Sequence, residues 1–260
     1  QHRFSLQSKG KSDAWSWSAD NAATYIDGSR ESLRYTGYSS YGIGFPRERR
    51  AQWQDQGKFA LKYDLGEYFL RAAGSLTLYD LLTSHHVTSG AYAGWLNFAD
   101  RYDANAGLDF GWNVTKDTAL TLGWRNGHQY QQAFYWVSSL AYTSSNNYNR
   151  ALLGIEGKPL TWLSLNLSVG PDFRHYTAPA ERLGVVHADQ TAFYIDTSAT
   201  ATLGKADTLT LTGRQWRWVS SSGRVAYNDK SWQLAWKHKF SAVFSAQLST
   251  QFQQGQYVVN

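Results

Sequence analysis

The run Arg101-Tyr102-Asp103-Ala104-Asn105-Ala106-Gly107-Leu108-Asp109-Phe110-Gly111-Trp112-Asn113-Val114 alternates from end to end. Its even positions are Tyr, Ala, Ala, Leu, Phe, Trp and Val, and its odd positions are Arg, Asp, Asn, Gly, Asp, Gly and Asn. Successive side chains of a strand point to opposite faces, so this is a strand with one apolar and one polar face. Strands of soluble domains run to about five or six residues. A strand of this length is sized instead for a bilayer, which about 9–11 tilted residues can cross.

The same period recurs along the chain. Leu70, Ala72, Gly74, Leu76 and Leu78 alternate with Arg71, Ala73, Ser75, Thr77 and Tyr79. Leu163, Leu165, Leu167 and Val169 alternate with Ser164, Asn166, Ser168 and Gly170. Phe193 to Leu203 and Phe244 to Gln253 repeat the pattern, and no long stretch has helical periodicity. The chain reads as all-β. Turn chemistry punctuates it at Asp64-Leu65-Gly66-Glu67, Thr115-Lys116-Asp117-Thr118, Gly157-Lys158-Pro159, Gly204-Lys205-Ala206-Asp207 and Ser241-Ala242. Longer connections fall between these turns, near 82–98, 129–147, 177–190 and 219–229. Short turns on one rim and long loops on the other describe an up-and-down transmembrane barrel with periplasmic turns and extracellular loops.

About twelve strands are expected, at 13–26, 31–41, 52–64, 67–80, 100–114, 118–130, 148–157, 160–175, 191–203, 207–218, 229–240 and 243–257. They form one domain over 1–260, with residues 1–28 alternatively an N-terminal arm or plug. Pro171 should end or bulge its strand, because proline removes a ladder hydrogen bond. An even count with short periplasmic turns leaves the first and last strands finishing on the extracellular rim. The expectation is therefore an incomplete chain or a segment of a barrel of 14 or more strands.

Composition agrees with a lipid-facing sheet. Aromatic residues make up 16% of the chain and charged residues 17%, the latter well below the roughly 25% of soluble domains. The longest apolar run, Ala133 to Val137, is far too short for a membrane helix, which needs about 20 residues. Aromatics gather near strand ends, at Trp15/Trp17, Tyr63/Tyr68/Phe69, Trp216/Trp218, Trp232/Trp236 and Phe240/Phe244, like interfacial girdles. Many residues of the apolar faces are Ala or Gly, which suffice against lipid but fill a sandwich core poorly. The alternative is a large soluble β-sandwich, with apolar faces packed together. The net charge of +5 is scattered, and the densest basic stretch, Arg47-Glu48-Arg49-Arg50, is interrupted by an acid, so no nucleic-acid partner is expected. The chain has no cysteine or methionine and starts at Gln1, which reads as a chain whose signal peptide has been removed.

Asp117 to Arg125, Tyr148 to Gly157 and Leu163 to Leu167 resemble the strands of β-barrel porins of Gram-negative bacteria, a likeness of pattern over about 59–252. The resemblance implies an integral outer-membrane channel for passive diffusion, in contact with lipid and lipopolysaccharide, as a homo-oligomer or with a partner protein. If the apolar faces meet lipid, the alternate residues line the interior. On this register the bases there are Lys62, Arg71, Arg101, Arg125, Arg150, Arg174, Arg214, Lys237 and Lys239. The acids are Asp103, Asp109, Glu156, Asp172 and Asp196. Charges that cost about 2–4 kcal/mol each in lipid need water or partners, so the interior is wet or salt-bridged. The excess of bases predicts a mild preference for small polar and anionic solutes.

Two other classes compete. A structural barrel could house a partner protein. An outer-membrane hydrolase could use His187-Ala188-Asp189, or Ser84 beside His85-His86, each in a long loop, or His175 at the lipid boundary. No serine partner for His175 is evident, and the loop residues read equally as ordinary polar surface, so no catalytic residue is assigned. No cofactor or metal is implied, since no ligand spacing or Gly-rich phosphate loop occurs; Gly42-Ile43-Gly44 with Pro46 is a loop signal.

Overall fold

The computed structural model describes residues 1–27, 51–82, 100–132, 134–136, 140–176, 189–219 and 226–257. Its elements are β1 (His2–Ser12), β2 (Trp15–Ile26), β3 (Gln52–Asp64), β4 (Tyr68–Asp80), β5 (Arg101–Thr115), β6 (Thr118–Gln131), β7 (Phe134–Trp136), β8 (Leu140–Tyr142), β9 (Asn146–Leu160), β10 (Leu163–Tyr176), β11 (Gln190–Leu203), β12 (Asp207–Trp218), β13 (Tyr227–Lys239) and β14 (Ser245–Tyr257). Twelve of them form one antiparallel up-and-down sheet in chain order, and β7 and β8 form a separate small hairpin.

Register follows the alternation. β4 and β5 pair Leu70 with Phe110, Ala72 with Leu108 and Leu76 with Ala104, so apolar residues share one face across the ladder. The face is inverted relative to a soluble domain: Leu108 is 66% exposed and Leu122 58%, whereas Asp103 is 2% and Asp172 0% exposed. On the outward face, the alternate residues of β5 between Tyr102 and Trp112 are apolar throughout. Those ten steps rise about 33 Å along the strand at about 3.3 Å each, or about 25 Å once tilted by about 40°, which matches the apolar band of outer-membrane barrels. Outward-facing aromatic contacts mark both ends of the band. Trp15 meets Tyr63 at 4.6 Å and Tyr68 meets Phe110 at 5.5 Å toward the short turns. Tyr25 meets Trp53 at 5.0 Å and Tyr102 meets Tyr130 at 5.2 Å toward the long connections.

The turns obey local chemistry. Gly66 sits at φ 86°, open to glycine at little cost, and its N–H donates to Asp64 Oδ1 at 2.9 Å. Gly157-Lys158-Pro159 is not the turn the sequence predicts. β9 runs on to Leu160, the turn lies at Thr161-Trp162, and the register shifts by one residue between Leu163 and Leu165. Gly157, at φ 115°, supplies the backbone freedom that this irregularity needs.

Pro171 likewise does not stop its strand. Pairs at Gly170 and Pro171 are missing against β9, yet pairing resumes in the same register at Asp172↔Arg150, while the ladder to β11 is continuous. A proline φ is compatible with extended backbone, and two flanking strands tolerate one lost donor.

The N-terminal segment departs from the arm-or-plug reading. Residues 2–12 and 15–26 form a hairpin turned at Asp13, and β2 pairs with β3 from Trp15↔Tyr63 to Ile26↔Gln52. Phe4 and Leu6 alternate with polar neighbours, a pattern too short to stand out in sequence but sufficient for an edge strand. The strand expected at 31–41 lies outside the described residues. β1 and β14 each pair on one side only among the described residues, so they are the two edges of the sheet. β1 begins and β14 ends on the rim of the long connections.

Candidate functional site

The sheet curls until strands far apart in its order meet through their inward side chains. Arg101 of β5 donates to the Val219 carbonyl at 2.7 Å and to the Tyr227 hydroxyl at 3.3 Å, beyond β12 and at the start of β13. Gln129 of β6 and Arg174 of β10 both donate to the Arg217 carbonyl on β12, at 3.0 and 3.3 Å. These bonds close a polar layer across the interior near the long-connection rim.

Within that layer the side chains bond to one another, while the Nε groups of Arg101, Arg150 and Arg174 and one oxygen of Asp172 are buried without a partner. Asp103 accepts from Gln129 at 2.7 Å, Tyr148 at 3.0 Å and Asn105 at 3.1 Å. Asp172 holds Arg150 at 2.9 Å and Arg174 at 2.6 Å on the same carboxylate oxygen. Tyr148 lies between the two guanidinium groups, 4.7 Å from Arg150 and 4.2 Å from Arg174. Arg101 is stacked between Tyr79 and Trp218, 4.9 Å from each ring. The tyrosine and tryptophan faces supply negative quadrupole where carboxylates are too few. The layer behaves as a septum: its side chains are buried, and it joins β5, β6, β9 and β10 to the end of β12.

Closer to the short turns a second network spans the inward face. Asp109 receives Arg71 at 2.8 Å and Arg125 at 2.6 Å, and Arg71 also holds Glu156 at 2.7 Å. Between the networks lies a cavity of about 430 Å³ with mainly polar walls, lined by Arg71, Arg125, Arg150, Glu156, Tyr194 and Arg214 among others.

The inward positions expected from the sequence are thus largely brought together. Asp103, Asp172, Arg150, Arg174 and Arg101 enter the septum; Arg71, Asp109, Arg125 and Glu156 form the second network. Asp196 and Arg214 are cross-strand neighbours on the cavity wall. Lys62 lies 3.9 Å over the buried Phe69 ring and directly opposite Arg71. Lys237 and Lys239 stand apart, exposed at the short-turn end of β13. Sequence reading missed Gln129, Tyr148 and Asn146 as interior residues with a role, because counting charges passes over neutral donors, and it placed Phe69, Trp216 and Trp218 in an interfacial girdle, whereas all three are buried. The alternation already placed Gln129 opposite Asp103, and that was the available signal.

At the rim, Asp100 is a carboxylate bent back on the chain, accepting from the Leu81 N–H at 2.8 Å. Burial raises its pKa and the charge of Asp80 adds to the rise, while the Leu81 bond opposes both.

Among the described residues, His128 and His175 face outward. His175 meets Asp189 at 2.8 Å with both side chains exposed, and His128 meets Asn147 at 2.7 Å. The partner of each ring is a carboxylate or an amide. Ser84, His85, His86, His187 and Gly42 to Pro46 lie outside the described residues.

No family model and no curated protein matches the chain. Among solved structures, it is similar to one described as the CymD monoaromatic hydrocarbon channel, at 8% sequence identity and a TM-score of 0.41, over 97% of this chain and 77% of that one.

Proposed function

We propose that this chain is an outer-membrane channel of a Gram-negative bacterium that passes small polar solutes, anions among them, by passive diffusion. The observation that carries the reading is the inverted burial: large apolar side chains on the outward face, buried ions and a polar cavity on the inward one. In water that outward face would expose far more contiguous apolar surface than a soluble protein tolerates. In lipid it is the stable arrangement, and the inward charges are then shielded from hydrocarbon. Permeation is governed at the septum, where Asp103, Tyr148 and Gln129 narrow the interior.

The test is single-channel conductance of the refolded protein in a planar bilayer under a salt gradient. Steady conductance with anion preference, reduced when Arg101, Arg125 and Arg174 are replaced by neutral residues, is expected. A silent bilayer from correctly folded protein would overturn the channel reading. A second reading, a scaffold barrel that houses a partner protein, draws on β14, exposed along its whole length on both faces. It predicts co-purification of a second chain and no conductance.

A further inference from the structure

We propose that the cavity beneath the septum binds an oxyanion, a carboxylate or phosphate group of a solute, on Arg214 and Arg150. The inference deepens the channel reading and rests on it only for the anion's origin as a permeating solute.

Five bases, Lys58, Arg71, Arg125, Arg150 and Arg214, face this cavity with three acids, Asp20, Glu156 and Asp196. Asp109 and Asp172 lie behind the wall bonded to its arginines, so the wall is close to neutral and net charge does not draw the anion. Arg71 and Arg125 are spoken for by Asp109 and Glu156.

Arg150 and Arg214 differ from these. Arg150 gives one bond to Asp172, lays its guanidinium 3.7 Å from the Tyr194 ring and keeps a buried Nε with no acceptor. Its side chain is 4% exposed. Arg214 stacks 3.7 Å over Trp216, and its Nε is also buried with no acceptor. The carboxylate opposite it in the register, Asp196, accepts from the Tyr194 hydroxyl at 3.2 Å.

Stacking fixes both guanidinium planes while leaving in-plane donors for a ligand. That is the arrangement that recognises carboxylate and phosphate oxygens. Tyr194 and Trp216 belong to one buried cluster, so the two cations are mounted on a shared aromatic support. Arg101 and Arg174 also keep a buried Nε without an acceptor, but neither lines this cavity, whereas Arg150 and Arg214 do.

The experiment is calorimetric titration of the full chain, folded in micelles, with inorganic phosphate and separately with acetate, at constant ionic strength in chloride. Saturable binding is expected. Arg214→Gln should weaken it at least tenfold, Arg214→Lys less, and Lys205→Gln, in a rim turn, should leave it unchanged. Arg150→Lys keeps charge beside Asp172 but removes Nε, and should also weaken binding. Heat-modifiable gel mobility establishes that each variant is folded.

Binding of both probes assigns the shared oxyanion chemistry; binding of one assigns a phosphate or a carboxylate solute. Absence of saturable heat, or equal affinity in wild type and folded Arg214→Gln, overturns the proposal. Intact binding with a silent bilayer would remove the channel reading and keep the site. Conductance without saturable binding would do the reverse.

Discussion

Asp172 carries two cations on one oxygen, and its other oxygen has no partner among the described residues. Removing its charge leaves Arg150 and Arg174 buried beside each other without compensation. Asp172→Asn is therefore expected to destabilise the fold by about 3–5 kcal/mol, the cost of breaking a buried pair, read as a lowered urea midpoint of the refolded protein. An unchanged midpoint would mean that water reaches the pair. Asp100 behaves in the opposite sense. Its pKa is raised in the folded chain, so the folded state binds the proton more tightly than the unfolded one. The stabilisation by its protonated form is complete below the ordinary carboxylate pKa and is lost as pH rises through the folded value. Asp100→Asn, which removes the charge and keeps an acceptor for Leu81, should be more stable than wild type at pH 7, and the difference should vanish below about pH 3.8. Urea titrations at the two pH values measure it. A variant that is less stable than wild type at pH 7 would show that the Leu81 bond to a charged oxygen outweighs burial.

The strands were the most legible elements in the sequence. Each long alternating run, such as Arg101 to Val114 or Leu163 to Val169, became a strand with the expected face outward, because a curled sheet with one apolar and one polar face rewards strict period two. Where the reading failed, backbone detail outweighed composition: Gly157-Lys158-Pro159 reads as a turn but makes an irregularity within β9, and Pro171 is carried by the neighbours on either side. The interior was half legible. Register gathers most of the expected charged residues, though not Lys237 and Lys239, but which arginine finds which carboxylate depends on how far the sheet curls. The bond from Arg71 to Glu156 joins residues 85 apart, and no local signal announces it. The same register makes a prediction for the outward face. Leu108→Arg, near the middle of the band on β5, should cost about 2–4 kcal/mol in a bilayer, measured by unfolding from phospholipid vesicles. A neutral effect there would place β5 away from lipid.

At the scale of the whole molecule, the septum and the apolar band make separate demands. If the septum limits passage, Tyr148→Ala should raise single-channel conductance, since it removes a ring that fills the space between Arg150 and Arg174 and releases Asp103. A conductance equal to wild type would put the limiting constriction elsewhere. The band underlies every functional reading offered for this chain, because an outward face in contact with lipid makes the inward face an enclosed polar interior. The absence of cysteine makes it directly accessible to experiment: single cysteines introduced one at a time from position 101 to 114 can carry a nitroxide label with no background. Collision with oxygen, which concentrates in hydrocarbon, is compared with collision by a water-soluble nickel chelate, in protein reconstituted into vesicles. The account predicts a period of two, with Ala104, Ala106, Leu108 and Phe110 positions accessible to oxygen and Asp103, Asn105 and Asp109 positions shielded from it. Oxygen access without that alternation, or greatest at the charged positions, would contradict it.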